Sequence, residues 1–354
     1  MIRFLIEPYL DFNIGHSLEK VNLWRNNLVK LGEEVCVFSY RDCPGFVKIL
    51  DEFIFIYRLK LLWREVFTYF FAFKMSKKKR ASVLGLTTYS PLVIAIASIF
   101  NLPIENWSQI IMNSGLTIKN SKYFFKKKES FALKFLSKKG CMLLPNLDFT
   151  VNKVKKELGL KNVYFLNDPI YFKEKSLNNK FNMQNIVLVS GDEDWRRTPL
   201  LHIDRSDLKT KIHKLILHGK FLNKDTYKLK SVDKIDCIDN YFNSEDLFDF
   251  YFKAKFCFIV YSYKFLGGSS NFALSILAGT PVLASEFLYA KEVFEKYGKI
   301  GEMFEYENIR SFEQAWERLV NWSEDDWDEF YIAREEFIKD VRAETIVSRY
   351  LELF

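Results

Sequence analysis

LGGSSNFALSILAGTPVLA, residues 266–284, decides how the rest of the chain is read. An apolar run, Phe256–Tyr261, precedes it and has the length and composition of a buried strand. Two glycines and two serines then open an apolar helix, expected over Asn271–Ala278, and Gly279-Thr280-Pro281 turns the chain into a second short strand, Val282–Ala284. Strand, flexible turn and helix N-terminus together make an anion site, because the first amides of a helix have no internal partner and point outward. A diphosphate fits such a site. The competing reading is a tight turn whose small residues only let helix and sheet approach closely.

Working outward, 354 residues are enough for two cores. Hydrophobic residues at 49% and charged residues at 27% describe a globular chain and exclude a disordered one. The 35 phenylalanines, 18 tyrosines and 7 tryptophans require extensive packing. Five scattered cysteines form neither a disulfide framework nor a metal cluster, and Cys36 and Cys257 sit in apolar runs as buried thiols. The opening MIRFLIEPYL breaks at Glu7 and Pro8, so it reads as a first strand and not as a signal peptide. No stretch reaches the roughly 18 apolar residues of a spanning helix. A reducing cytoplasm is the expected compartment.

The net charge of +7 suits nucleic acid, a membrane surface or phosphorylated substrates. Its distribution separates them. Lys77-Lys78-Lys79-Arg80 ends an aromatic, helical segment that begins at Leu61-Leu62-Trp63, and Phe124-Phe125-Lys126-Lys127-Lys128 forms a second patch. That pairing suits peripheral attachment to an anionic bilayer through residues 61–80, on the inner face of a membrane. The alternative is a helix packed on a sheet with solvated lysines at its end. Nucleic acid fits poorly, because the basic residues are dispersed and no reading motif is present.

Strands and helices alternate through the first half. Strands are expected at Ile2–Glu7, Glu34–Tyr40, Phe53–Tyr57, Ala81–Leu86, Gln109–Met112, Cys141–Leu144 and Val163–Leu166, with helices near 17–31, 61–80, 91–100 and 122–136. After a polar stretch, Lys173–Asn185, a second series begins with Ile186–Ser190 and continues through Lys214–Leu217, Ser231–Ile235 and a helix at Leu247–Ala254. The tail carries helical faces and ends in one amphipathic helix, about Lys339–Leu353. Such alternation implies mostly parallel, doubly wound sheets with both faces covered. Ligands of such folds sit at the carboxyl ends of the strands, where the loops 11–16, 87–90, 191–197 and 266–270 fall.

Several local patterns carry a resemblance. Gly15-His16-Ser17 and then Leu31-Gly32-Glu33-Glu34-Val35 follow the first strand; Gly191 ends the first strand of the second half, with Arg197 at the spacing of a lysine; and Leu277-Ala278-Gly279-Thr280-Pro281-Val282 closes the signature region. The chain thereby resembles the two-Rossmann-domain glycosyltransferases called GT-B, specifically the retaining family 4. The resemblance implies an N-terminal Rossmann-like acceptor domain over 1–170, a linker over 171–185, a nucleotide-sugar domain over 186–335 and a terminal helix, 336–354, returning to the first domain. It implies transfer of a hexose from a nucleotide-diphosphate sugar to a glycan, glycolipid or glycoprotein acceptor, with retention. One departure stands out. The family's two glutamates, with seven residues between them, align with Leu266 and Leu274, so the usual grip on the donor ribose is missing. Asp192 likewise replaces an arginine of the second-domain loop.

On this reading Arg197 clamps the diphosphate, since guanidinium matches two phosphate oxygens, with Arg196 as its alternative. Gly191, Gly267, Gly268, Ser269 and Ser270 supply amides and hydroxyls, and Asn271 either touches the phosphates or caps the helix. Glu292 would point to the sugar or ribose, and Asn240 and Tyr241 lie where relatives hold the base. In the N-terminal half, Gly15 admits the backbone close to the sugar, while His16 and Asp11 offer polar groups to it. No carboxylate pair is spaced for a metal, so neither metal nor cofactor is expected. Two other readings stay open: a noncatalytic nucleotide-sugar-binding or scaffold protein, and a sugar-nucleotide epimerase of the same fold.

Overall fold

The computed structural model describes residues 2–8, 17–39, 57–86, 91–99, 107–111, 124–146, 148–170, 172–173, 180–191, 198–221, 227–239, 242, 244–262, 265 and 268–354. The chain divides into two compact units, Met1–Pro169 with Ala343–Phe354, and Ile170–Arg342.

The first unit is built on a five-stranded parallel sheet of order β2-β1-β3-β4-β5. Its strands are β1 (Ile2–Ile6), β2 (Glu34–Phe38), β3 (Ser82–Gly85), β4 (Trp107–Ile111) and β5 (Met142–Pro145). β1 lies inside the sheet, with Ile2 opposite Glu34 on one side and Arg3 opposite Ser82 on the other. Four of the five residues of β1 are buried, as helices on both faces of a parallel sheet require. One face carries α2 (Tyr57–Lys79), α3 (Pro91–Ile99), α4 (Phe124–Lys138) and α5 (Asp148–Leu158), which share a core of Phe4, Tyr69, Phe73, Ile94, Leu133 and Val154. The other face is covered by α1 (Ser17–Lys30) and by α12 (Ala343–Glu352), the last helix of the chain. Tyr350 of α12 meets the Trp24 ring edge-on at 5.3 Å, shares a hydrogen bond with Ser108 Oγ at 3.0 Å and lies under the Arg3 guanidinium.

α2 is the aromatic, lysine-ended segment. It buries Glu65, Thr68, Tyr69, Ala72, Phe73 and Ser76, a set spaced three and four apart, and leaves Trp63 and Lys77–Lys79 outside. The helix is therefore buried along one side. Gly85 explains how it lies so close to the sheet: a Cβ there would stand 1.8 Å from Gln109 Oε1 and 2.5 Å from the Tyr69 hydroxyl, two groups that bond each other at 2.7 Å.

The second unit holds a six-stranded parallel sheet of order β11-β10-β9-β6-β7-β8. Its strands are β6 (Ile186–Ser190), β7 (Ile212–His218), β8 (Val232–Ile238), β9 (Phe256–Ile259), β10 (Val282–Ser285) and β11 (Gly301–Phe304). α6 (Pro199–Arg205) follows β6, α7 (Ser244–Lys253) precedes β9, α8 (Ser270–Leu277) joins β9 to β10, and α9 (Leu288–Tyr297) joins β10 to β11. α10 (Ile309–Val320) and α11 (Glu324–Val341) complete it, α11 starting with a capping box between Ser323 and Asp326. Counted from β6 the order is that of a dinucleotide-binding Rossmann sheet, in which the chain leaves the first strand in both directions.

The C-terminal turn of α8 shows what the small residues of 278–281 do. Gly279 adopts φ 69, the Gly279 amide donates to Ile276 O and the Thr280 amide to Ser275 O, which is a Schellman ending. Arg334 of α11 adds two donors to Leu277 O, at 3.1 and 2.7 Å. A cation at a helix C-terminus also suits the helix dipole.

Four expectations change. The stretch after Lys173 contains Lys180, whose side chain is 1% exposed and donates to Ala254 O at 2.7 Å and to Thr280 Oγ1 at 2.6 Å. Where described, this stretch is stitched beneath the second sheet, and Lys255 returns bonds to Phe181 O and Met183 O. The terminal helix expected over Lys339–Leu353 is two helices broken at Arg342, whose ψ of 135 leaves the helical region. Val163–Leu166 contributes a single bridge, Val163 to Leu143. Of Phe53–Tyr57, the final residue opens α2 and the rest lies outside the described residues.

Candidate functional site

In an open parallel sheet the crevice forms where successive connections leave to opposite faces, beyond the carboxyl ends of the two strands concerned. In the second unit those strands are β6 and β9. A crevice is found there, lined by Val189, Ser190, Gly191, Pro199, Phe258, Ile259, Val260, Tyr261 and Asn271, with about 260 Å³ of free space counting its open mouth.

Three local devices shape it. Gly191 turns the chain out of β6 at φ 99 and donates its amide to His218 O at 2.8 Å. A side chain is strained at that φ, so glycine is what lets the strand end here. On the opposite wall the Ser285 hydroxyl donates to Tyr261 O at 2.7 Å and accepts from the Tyr261 amide at 2.8 Å, holding the segment beyond β9. The third device is the start of α8. Ser269 is its N-cap and accepts from the Phe272 amide at 3.2 Å. The amides of Ser270 and Asn271 come earlier in the same turn, where helix geometry supplies no carbonyl.

Of the two roles expected for Asn271, the structure excludes the cap, which is Ser269. Asn271 Nδ2 donates to Ser190 O at 2.8 Å, tying the helix start to the end of β6, and the residue lines the crevice. Ser190 is held a second way, its hydroxyl 2.9 Å from His218 Nδ1. His218 itself stacks on Phe242 at 5.0 Å. Among the described residues the lining carries no formal charge, and the start of α8 adds the partial positive charge of a helix N-terminus.

The structure brings Gly191 and Asn271 together on the crevice, with Gly268, Ser269 and Ser270 at the adjoining helix start. Glu292 is half-buried on α9 and does not line the crevice. Leu274 lies inside the core formed around α8. Asp11, Gly15, His16, Arg196, Arg197, Asn240, Tyr241 and Gly267 lie outside the described residues, as do Leu266 and Asp192. Sequence reasoning passed over Ser190, Pro199, Tyr261 and His218. Ser190 and His218 close neighbouring strands, a signal that was present in their position before Gly191 and Gly219.

At the carboxyl side of the first sheet lies a polar cluster that the sequence also left unmarked. Lys20 Nζ donates to Leu86 O at 3.1 Å and to Asp168 Oδ1 at 2.7 Å, and Asn146 Nδ2 donates to Asp168 Oδ2 at 3.1 Å. It joins the residues following β3 and β5 to the first turns of α1.

The displaced pKa values fall elsewhere. Burial, helped by the Arg334 charge, lowers Lys180 to about 7, and burial lifts the Cys257 thiol to about 12. Burial also lowers His202, which sits among Phe304, Tyr306 and Phe312. These groups belong to the packed core of the unit. Among the described residues no group of three or more His, Cys, Asp or Glu side chains is placed to hold a metal ion.

No family model matches the sequence, and no curated protein matches it. Solved structures do. The chain is similar to Anabaena Alr3699/HepE in complex with UDP, with a TM-score of 0.65 at 12% identity over 99% of this chain and 98% of that one. A glycosyltransferase from Rickettsia africae ESF-5 gives 0.64 at 14% identity, over 99% and 97%. WaaG, a glycosyltransferase involved in lipopolysaccharide biosynthesis, gives 0.62 at 13% identity, over 100% and 99%. The fold is therefore the two-domain α/β fold of the GT-B glycosyltransferases.

Proposed function

We propose that the protein is a glycosyltransferase that moves a hexose from a nucleotide-diphosphate sugar to a glycan, glycolipid or glycoprotein acceptor, with retention and without a metal. The observation that carries the reading is the crevice at the ends of β6 and β9, closed by the start of α8 through the Asn271–Ser190 bond. Its unpartnered helix amides face the kind of charge that a departing diphosphate develops. The likeness in fold to glycosyltransferases supports it, and the HepE structures containing UDP and UDP-glucose make uridine donors the first to test.

In this reaction the bond from the anomeric carbon to the diphosphate oxygen breaks, with its electron pair leaving on the diphosphate. The acceptor oxygen bonds the same face of that carbon, and its proton passes to the leaving phosphate. Arg197, with Arg196 beside it, neutralises the diphosphate together with the Gly267–Ser270 segment. Asn240 and Tyr241 hold the base, Glu292 the sugar or ribose, and Asp11, Gly15 and His16 the acceptor side. With a panel of uridine and other nucleotide sugars, turnover should survive a chelator, fall at least a hundredfold in Arg197→Ala, and give a product with the donor's anomeric configuration by NMR. Donor binding without turnover across an acceptor library would instead favour the noncatalytic reading that Leu274 motivates.

We also propose that the enzyme works at an anionic membrane surface on the cytoplasmic side. No described helix is long and apolar enough to cross a membrane. α2, its neighbour α3, and α4 on the far side of α3 nevertheless leave Trp63, Ile96, Ile99 and Phe131 exposed, with Lys77, Lys78 and Lys79 at the end of α2. Aromatic and apolar groups beside lysines suit the headgroup region. Neutralising Lys77–Arg80 should abolish co-sedimentation with phosphatidylserine vesicles; unchanged sedimentation rejects the idea.

A further inference from the structure

β8 ends the six-stranded sheet and has a strand on one side only among the described residues. β7 bonds its inner edge, from Ile212 opposite Val232 to His218 opposite Ile238. With 7 residues it matches β7 and exceeds every other strand of its sheet. An edge of this length presents a row of amides and carbonyls that sheets either guard or pair. Ile235, in the middle, is 42% exposed, and Asp233, Lys234 and Cys237 are exposed around it.

The order of side chains decides between guarding and pairing. Val232-Asp233-Lys234-Ile235-Asp236-Cys237-Ile238 is nearly symmetric about Ile235, with charge reversed across the centre. Like charges set directly opposite one another across a shared edge would repel a second copy. Here an antiparallel copy centred on Ile235 sets Lys234 opposite Asp236 twice and Val232 opposite Ile238 twice. Residues 232, 234, 236 and 238 share one face by the strand's period of two, so these four pairs form one complementary stripe. Ile235 meets Ile235 on the other face, flanked by Asp233 opposite Cys237. Within one chain Asp236 bonds Lys214 at 2.5 Å and lies 3.7 Å from Lys234, whose side chain keeps 67% of its exposure and can reach across the edge.

We propose that β8 pairs antiparallel with β8 of a second copy of this chain, centred on Ile235, so that two six-stranded sheets run on through one interface. This is independent of the reaction assigned above.

Sedimentation velocity over a dilution series of the full chain tests it. The wild type should give the mass of a dimer. Lys234→Asp and Asp236→Lys should each sediment as monomers, because each sets like charges opposite one another twice. An equimolar mixture of the two variants should recover the dimer, since the aspartates at positions 234 and 236 of one variant then face the lysines at positions 236 and 234 of the other. A monomeric wild type overturns the proposal, and so does a mixture that stays monomeric while the wild type dimerises. Far-UV circular dichroism checks folding. Should Asp236→Lys not fold, Ile235→Cys in a Cys237→Ser background decides: opposed residues of an antiparallel pair have Cβ atoms about 4.5–5.5 Å apart, so mild oxidation or a short bifunctional reagent should give a cross-linked dimer. Cys237→Ser alone should give none. Absence of the Ile235→Cys cross-link overturns the pairing.

Discussion

Asn271 is the residue on which the crevice turns. Its amide nitrogen is committed to Ser190 O, so Asn271→Ala leaves a strand-end carbonyl without its donor and frees the first turn of α8. We expect a loss of about 1 kcal/mol of stability, the net worth of one hydrogen bond, read as a lowered melting temperature. Lys180 supplies a different measurement. Its ordinary value of 10.5 falls to about 7 in the fold, first through burial and then through Arg334. The unfolded chain therefore holds the proton more tightly between those limits, and stability from this group rises with pH across the window and is lost as pH falls toward 7. Urea unfolding of the wild type should gain about 2 kcal/mol from pH 7 to 9, and Lys180→Met should flatten that gain. Gly85→Ala should lower stability by about 1–3 kcal/mol, because its methyl collides with Gln109 and Tyr69; thermal melting reads it. Legibility in the sequence divides along the same residues. Gly191 announced a strand end by type and place. The buried ammonium of Lys180 did not, since a lysine in a polar stretch reads as solvated until tertiary contacts supply Ala254 O and Thr280.

At the scale of elements, α8 joins two tasks at its two ends. Its start borders the crevice, and its finish is a Schellman turn locked by Arg334. Gly279→Ala should therefore cost about 1–2 kcal/mol in melting experiments, from φ 69 alone, while donor affinity stays near that of wild type. Both ends were visible in the sequence because glycine, serine and proline punctuate an apolar run. The helices at 148–158 and 199–205 were not. The first is rich in lysine, and its buried apolar face rests on Val151 and Val154. The second has 7 residues, too few for a periodic pattern to declare itself. The arginines expected to neutralise phosphate, Arg196 and Arg197, lie outside the described residues, and local pattern carries no information on where long side chains point.

For the whole molecule, the alternation of strands and helices made the two parallel sheets readable, while the strand order was not, because it depends on which face each connection crosses. The two units should also part company on truncation. A chain ending at Arg342 removes Ile346, Val347 and Tyr350 from the α1 side of the first sheet. Differential scanning calorimetry should show the transition of the first unit lowered or abolished and that of the second near its original temperature. The return of α12 also bears on synthesis. Because the helix that seals the first sheet follows the whole second unit along the chain, synthesis completes the second unit first. The first unit waits, with Trp24 and Leu28 uncovered, until α12 has been made.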